Sequence, residues 1–159
     1  MKKVIGYVST KDLGTLKEQD IKNLDVINIA FGLIERHRVV WDSCGNEEYL
    51  PKIREINPDI KIVLSVGGWG ADGFSQAART EEGRALFAVS AVSLVETYGL
   101  DGIDIDWEYP GTSLAGIGSH VNDKENYTLL LKALRESLNH MEGEKSLSVA
   151  VGGDVYFAL

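Results

Sequence analysis

The sequence predicts an α/β fold built on a parallel sheet, and two observations carry that reading. Short β-branched runs alternate with longer amphipathic ones, the pattern of strands joined by crossover helices. Residues 60–66 are apolar almost without interruption, as a strand buried on both faces must be.

Taken in order, residues 4–8 form the first strand, followed by a helix near 16–23. Residues 26–31 form the second strand, and 38–41 a brief extended piece before a helix at 47–56. Pro58 ends that helix, because proline cannot continue the hydrogen-bond ladder. The third strand, 60–66, stops at Gly67-Gly68. Thr80 is placed to cap a helix that opens with Glu81, Glu82 and Gly83, runs to Tyr98 and is stopped by Gly99. The fourth strand covers 102–108 and is closed by Pro110-Gly111. A glycine-containing loop then runs to about Val121, Asp123 caps a helix to about His140, and 147–151 form a fifth strand.

Two architectures fit this order: an open doubly wound sheet, or part of a (β/α)₈ barrel. No Gly-x-Gly-x-x-Gly follows the first strand, which weakens the dinucleotide-binding form of the open sheet. A complete barrel takes about 250 residues. The 159 residues supply four βα units and a fifth strand, so a barrel would be incomplete. That length suits a single domain.

The composition is that of an ordinary globular chain, 44% hydrophobic and 25% charged. Sixteen basic against 24 acidic residues give a net charge of −8, which argues against nucleic acid or an anionic membrane as partner. No apolar run is long enough to span a bilayer. The single cysteine, Cys44, allows neither an intrachain disulfide nor a cysteine metal cluster. The start, Met1-Lys2-Lys3-Val4, passes directly into a strand without the apolar stretch of a signal peptide. This start fits a cytoplasmic protein or one secreted after removal of its signal.

The chemistry concentrates in residues 101–108, Asp-Gly-Ile-Asp-Ile-Asp-Trp-Glu. Alternate side chains of a strand share a face, so Asp104, Asp106 and Glu108 point one way, roughly 6 to 7 Å apart in steps. Ile103, Ile105 and Trp107 point the other way, toward helices, while Gly102 leaves the start of the row uncrowded. Three ionised, dry carboxylates in a row would be strongly destabilising, so at least one aspartate keeps a proton at neutral pH. Glu108, at the mouth of the strand, is placed where a barrel enzyme holds its general acid. The same row could hold Mg²⁺ or Ca²⁺. However, His37, His120 and His140 are scattered in loops or at a helix end, so neither a metal nor a cofactor is expected.

The run Asp101-Gly102-Ile103-Asp104-Ile105-Asp106-Trp107-Glu108-Tyr109-Pro110 resembles the signature of the glycoside hydrolase family 18 chitinases. Ser65-Val66-Gly67-Gly68-Trp69 is similar to that family's Ser-x-Gly-Gly-Trp motif. Gly6-Tyr7, Ile27-Asn28-Ile29-Ala30-Phe31 and Asp123-Lys124-Glu125-Asn126-Tyr127 fit it in order, so the likeness covers the whole chain.

The resemblance implies a TIM-type parallel (β/α) barrel, with residues 1–159 as the N-terminal part of a catalytic domain. It implies that Glu108 protonates the glycosidic oxygen and later activates water. The substrate's own 2-acetamido oxygen attacks the anomeric carbon, an exception to the two-carboxylate retaining scheme. Asp106 would orient the acetamido group, and Asp104 would share a proton with Asp106 and tune it. Tyr7, Phe31, Gly68, Trp69 and Tyr109 would bind substrate, and Asp101, of opposite parity, would brace the strand's entry. Trp107 would stay in the core.

The substrate implied is chitin or another N-acetylglucosamine-containing glycan. The alternatives are a non-catalytic glycan-binding relative, and an endo-N-acetylglucosaminidase acting on N-glycans or peptidoglycan. Family members also carry a Met-x-Tyr-Asp motif on the sixth strand and a tryptophan on the eighth. The 159-residue chain has neither strand, so by itself it is expected to be inactive and to associate through open barrel edges.

Overall fold

The structure, a computed structural model, describes residues 2–153. Its strands are β1 (Ile5–Ser9), β2 (Val26–Glu35), β3 (Arg38–Val40), β4 (Lys61–Gly67), β5 (Gly102–Asp106) and β6 (Ser146–Val149). The helices are α1 (Glu18–Asn23), α2 (Leu50–Ile56), α3 (Phe74–Arg79), α4 (Glu81–Thr97) and α5 (Asp123–Asn139). The strand order is β1-β2-β4-β5-β6, with all neighbours parallel, and β3 folds back antiparallel on the end of β2. Alternation of β and α elements around a parallel sheet is the expected α/β plan, with the five strands of a partial barrel.

Parity divides the sheet. Ile27 and Ile29 of β2, Ile62, Leu64 and Val66 of β4, and Ile103 and Ile105 of β5 are buried in one cluster with Phe87, Ala91 and Val95 of α4 and Leu130 and Leu134 of α5. The opposite face carries Asn28, Ser65, Asp104 and Asp106, all buried. The sheet therefore has an oily side covered by helices and a polar side toward the barrel axis.

One contact measures the curl. Tyr7 on β1 lies three strands from Asp104 on β5, about 14 Å in a flat sheet. Its hydroxyl nevertheless donates to Asp104 Oδ2 at 2.9 Å. Only a strongly curved sheet brings these strands together across its concave face. β1 and β6 end the strand order, and Val4, Ile5, Val149 and Val151 are exposed there.

Several boundaries differ from the sequence reading. β2 continues to Glu35 because Leu33, Ile34 and Glu35 pair with β3. The first helix starts at Glu18, after a 3₁₀ turn at Thr10–Thr15. The helix expected at 47–56 divides into a 3₁₀ turn, Asn46–Tyr49, and α2, whose Pro51 sits in the first turn, where a missing N–H breaks no bond. The six-residue α3 was not expected; it is too short to show a helical period. Thr80 does cap α4, accepting from the Gly83 N–H at 3.0 Å.

Three corrections bear on the site. β5 ends at Asp106, so Trp107 and Glu108 stand beyond the ladder and not within a strand reaching 108. Asp123 does not cap α5 but is its first residue, after Asn122. A side chain on Gly102 would strike the Ser146 backbone of β6, so that glycine admits the neighbouring strand and does not simply leave room for the acids.

Candidate active site

The parallel register explains why the polar residues meet. Ser65 pairs with Asp104, and Asp104 with Ser148, so three neighbouring strands present these side chains in one row. Ser65 Oγ donates to Asp104 Oδ2 at 2.7 Å, and Ser148 Oγ donates to Oδ1 at 2.7 Å. With Tyr7 added, three hydroxyls from β1, β4 and β6 converge on one buried carboxyl group. The Tyr7 hydroxyl is pushed up to about 12, by burial first and, further, by its bond to Asp104, against a lowering bond from Asn28. It therefore remains a donor throughout the neutral range.

Asp106 is also buried, 8% exposed, but its neighbours are acids. Burial is the largest cause raising it to about 6; the charges of Glu108 and Asp104 and a side-chain hydrogen bond with Glu108 add to this. Asp104 is occupied by hydroxyls and acts on Asp106 through its charge, while the carboxyl–carboxyl hydrogen bond joins Asp106 to Glu108.

These acids face an open pocket of about 540 Å³ lined by Tyr7, Phe31, Asp106, Glu108, Tyr109 and Val151 among others. That volume is in the range of small-ligand sites. Phe31 is held in place from below. A side chain on Gly68 would meet the Phe31 ring at 2.9 Å, and the Gly68 N–H donates to the Asp106 carbonyl at 2.9 Å. Gly67, at φ 122°, lies against the same carbonyl, where a side chain has no room. The Gly67-Gly68 pair therefore packs strand β4 against the acid-bearing strand beneath Phe31.

Trp69 stands outside this pocket, 66% exposed, and meets Tyr109 edge-on with ring centroids 6.4 Å apart. The Tyr109 hydroxyl is raised, by burial first and then by the charges of Glu108 and Asp106. Trp107 faces away from the acids as expected. It is 2% exposed, stacked on Phe74 at 5.2 Å and edge-on to Tyr127. Asp101 braces the strand's entry: it accepts from Arg54 at 2.9 Å, the Ile62 N–H at 2.8 Å and Lys61 at 3.5 Å.

Sequence reasoning assigned no role to Ser148 or to the Ser65 side chain. The available signal was parity: a hydroxyl residue whose place in its strand puts it on the face of the acids. Among the described residues no group of three or more His, Cys, Asp or Glu side chains is arranged to hold a metal ion, and no helix is long and apolar enough to cross a membrane.

Fold and site together place the chain among the (β/α)-barrel proteins with a carboxylate centre at the C-terminal ends of the strands. The chain belongs to the glycosyl hydrolases family 18, whose profile matches residues 3–157. It is 41% identical to Chitinase A1 of Niallia circulans over 126 residues, which are 74% of this chain and 18% of that protein. A solved family 18 N-acetylglucosaminidase from Paenibacillus barengoltzii superposes with a TM-score of 0.93 at 45% identity, over 98% of this chain and 48% of that one. The chitinase domain of the spore coat protein CotE from Clostridium difficile gives 0.86 at 38% identity, over 98% and 43%. The chain thus spans about half the length of these solved structures and a smaller share of the curated relative.

Proposed function

We propose that residues 1–159 are the N-terminal part of a catalytic domain that hydrolyses β-1,4-linked N-acetylglucosamine polymers, chitin or its oligosaccharides, by substrate-assisted retaining catalysis. One observation carries the proposal: a carboxyl raised to about 6, hydrogen-bonded to a neighbouring glutamate, at the floor of a pocket lined by Tyr7, Phe31 and Tyr109. A pair of acids sharing a proton can deliver it and take one back within a single reaction.

In this reading Glu108 gives its proton to the glycosidic oxygen as the bond to the anomeric carbon breaks. The substrate's acetamido oxygen closes onto that carbon, forming an oxazolinium ion. Asp106 accepts the acetamido N–H and balances the positive charge. Glu108, now a carboxylate, takes a proton from water as it opens the ring, which restores the starting state. Asp104 is the positioning group behind Asp106, anchored by Tyr7, Ser65 and Ser148. The apolar faces of the sugars would rest on Phe31, Tyr109 and Trp69, with Gly68 holding Phe31 in place. A second hollow shares Ser9, Ala30 and Phe31 with the pocket and extends to Leu33 and Val40, which supports a substrate longer than one sugar.

The N-acetylglucosaminidase likeness favours a second reading, in which the glycan is an N-acetylglucosaminide other than polymeric chitin. Comparing colloidal chitin with a glycoprotein and with peptidoglycan separates the two. A fluorogenic chitobioside assay tests the main proposal. Turnover is expected from a family 18 domain carrying this segment and the later strands, and little from the 159 residues alone. Robust turnover by the short chain, abolished by Glu108→Gln, would overturn the need for those strands; none from the long domain would overturn the hydrolase assignment. The exposed edges of β1 and β6 also support association of the short chain with itself, and a monomer by light scattering at all concentrations would exclude it.

A further inference from the structure

The segment after Glu108 is irregular up to α5, yet the acid at its start must be held still to transfer a proton. Its anchor is Asp123, the first residue of the 17-residue helix α5, which is 0% exposed. Asp123 Oδ2 accepts from the Gly111 N–H at 3.2 Å and from the His120 N–H at 2.7 Å. Oδ1 accepts from Ser75 Oγ of α3 at 2.8 Å. Gly111 is three residues beyond Glu108 and His120 lies near the far end of the loop, so one oxygen atom ties the two ends together. A second tether holds the middle: Asp72 Oδ1 accepts from the Gly118 N–H at 2.9 Å. The helix that carries Asp123 is itself fixed by Tyr127, Leu130, Leu134 and Leu138 in the core.

We propose that Asp123 is a positioning residue for Glu108, its buried carboxylate clamping both ends of the acid-bearing loop to the start of α5. It does not line the pocket and acts through Tyr109 and Pro110, the two residues between Glu108 and Gly111. A displacement of the acid by about 1 Å is enough to lower turnover by roughly a hundredfold. Only that catalytic consequence rests on the hydrolase reading; the clamp does not.

The test uses the 159-residue chain and compares Asp123→Ser, Asp123→Asn and Ser75→Ala. Serine keeps a residue suited to a helix start but is too short to reach both loop N–H groups. Asparagine keeps an acceptor oxygen for both, while the Ser75 hydroxyl can turn to accept from its amide. Two quantities are read by NMR: hydrogen exchange at Gly111 and His120, and the titration midpoint of the Asp106 carboxyl. In Asp123→Ser, exchange should accelerate roughly tenfold or more. The Asp106 midpoint should fall by roughly half a unit or more as Glu108 moves away. Asp123→Asn should restore both, and Ser75→Ala should leave the midpoint in place.

Unchanged exchange in Asp123→Ser would overturn the clamp. Faster exchange with an unmoved midpoint would overturn its influence on the acid. An equal midpoint shift in Asp123→Asn, or any shift in Ser75→Ala, would show a charge or packing effect and overturn positioning. No substrate is involved, so failure of the chitobioside assay would count against the hydrolase reading and leave this result standing.

Discussion

The two ends of the acid-bearing strand hold the same kind of residue in opposite surroundings. At the entry, Asp101 meets Arg54, Lys61 and a backbone N–H, so its charge is compensated on every side. At the mouth, Asp106 faces Glu108 and Asp104 and is raised to about 6. The surroundings supply donors at the first position and further acids at the second. Strongly raised carboxyls in clefts concentrate at functional sites, although structural ion-pair networks perturb carboxyls as well. Burial by itself does not draw this distinction, since Asp104 is as buried as Asp106 yet is held by three hydroxyl donors.

The largest effect is expected at the mouth. In a family 18 domain that turns over chitobioside, Glu108→Gln should lower kcat by about a thousandfold or more with little change in KM, because the amide keeps the shape and loses the proton. At the entry, Asp101→Ala should destabilise the fold by about 2 to 3 kcal/mol in urea unfolding, since it leaves Arg54 and the Ile62 N–H without their shared acceptor. A loss below about 0.5 kcal/mol would remove the contrast on which this comparison stands.

Asp106→Asn should act in the other direction. The folded chain binds the Asp106 proton more tightly than the unfolded chain does, so stability is full below pH 4 and is lost as pH rises toward about 6. The asparagine variant escapes that loss and should be more stable than the parent above pH 6 by about 1 to 2 kcal/mol, screening by the open pocket included, with no difference below pH 4. A parallel pH profile for the two proteins would contradict the raised carboxyl. The smallest effect is Tyr7→Phe, which removes one of three donors to Asp104. It should cost about 1 kcal/mol in stability, and a neutral result would mean that the Ser65 and Ser148 hydroxyls suffice.

Much of the fold was legible because the signals were local. Gly67-Gly68, Gly99 and the Thr80 cap punctuate the chain where elements end. The parity of 103–107 alone sorts Ile103, Ile105 and Trp107 to the helix side, where they are buried. The β2–β3 pairing and α3 were not legible, the first because a hairpin end without a turn signature reads as loop, the second because six residues carry less than two helical periods. The same logic hides the role of Asp123, the first residue of α5. An aspartate before an amphipathic run is an ordinary cap, and nothing local says that its acceptors serve a loop twelve residues upstream.

The sequence by itself determined the parallel α/β plan, the acid row at the mouth of its fourth long strand and the resemblance that the family profile bears out. Those follow from periods of two and 3.6 residues and from short contiguous motifs. Only the tertiary structure decided which acid is surrounded by donors and which by other acids. Tyr7 and Asp104 are 97 residues apart, and Ser148 and Asp104 are 44 apart. Their meeting depends on the register and curl of the whole sheet, a global property that no local pattern encodes.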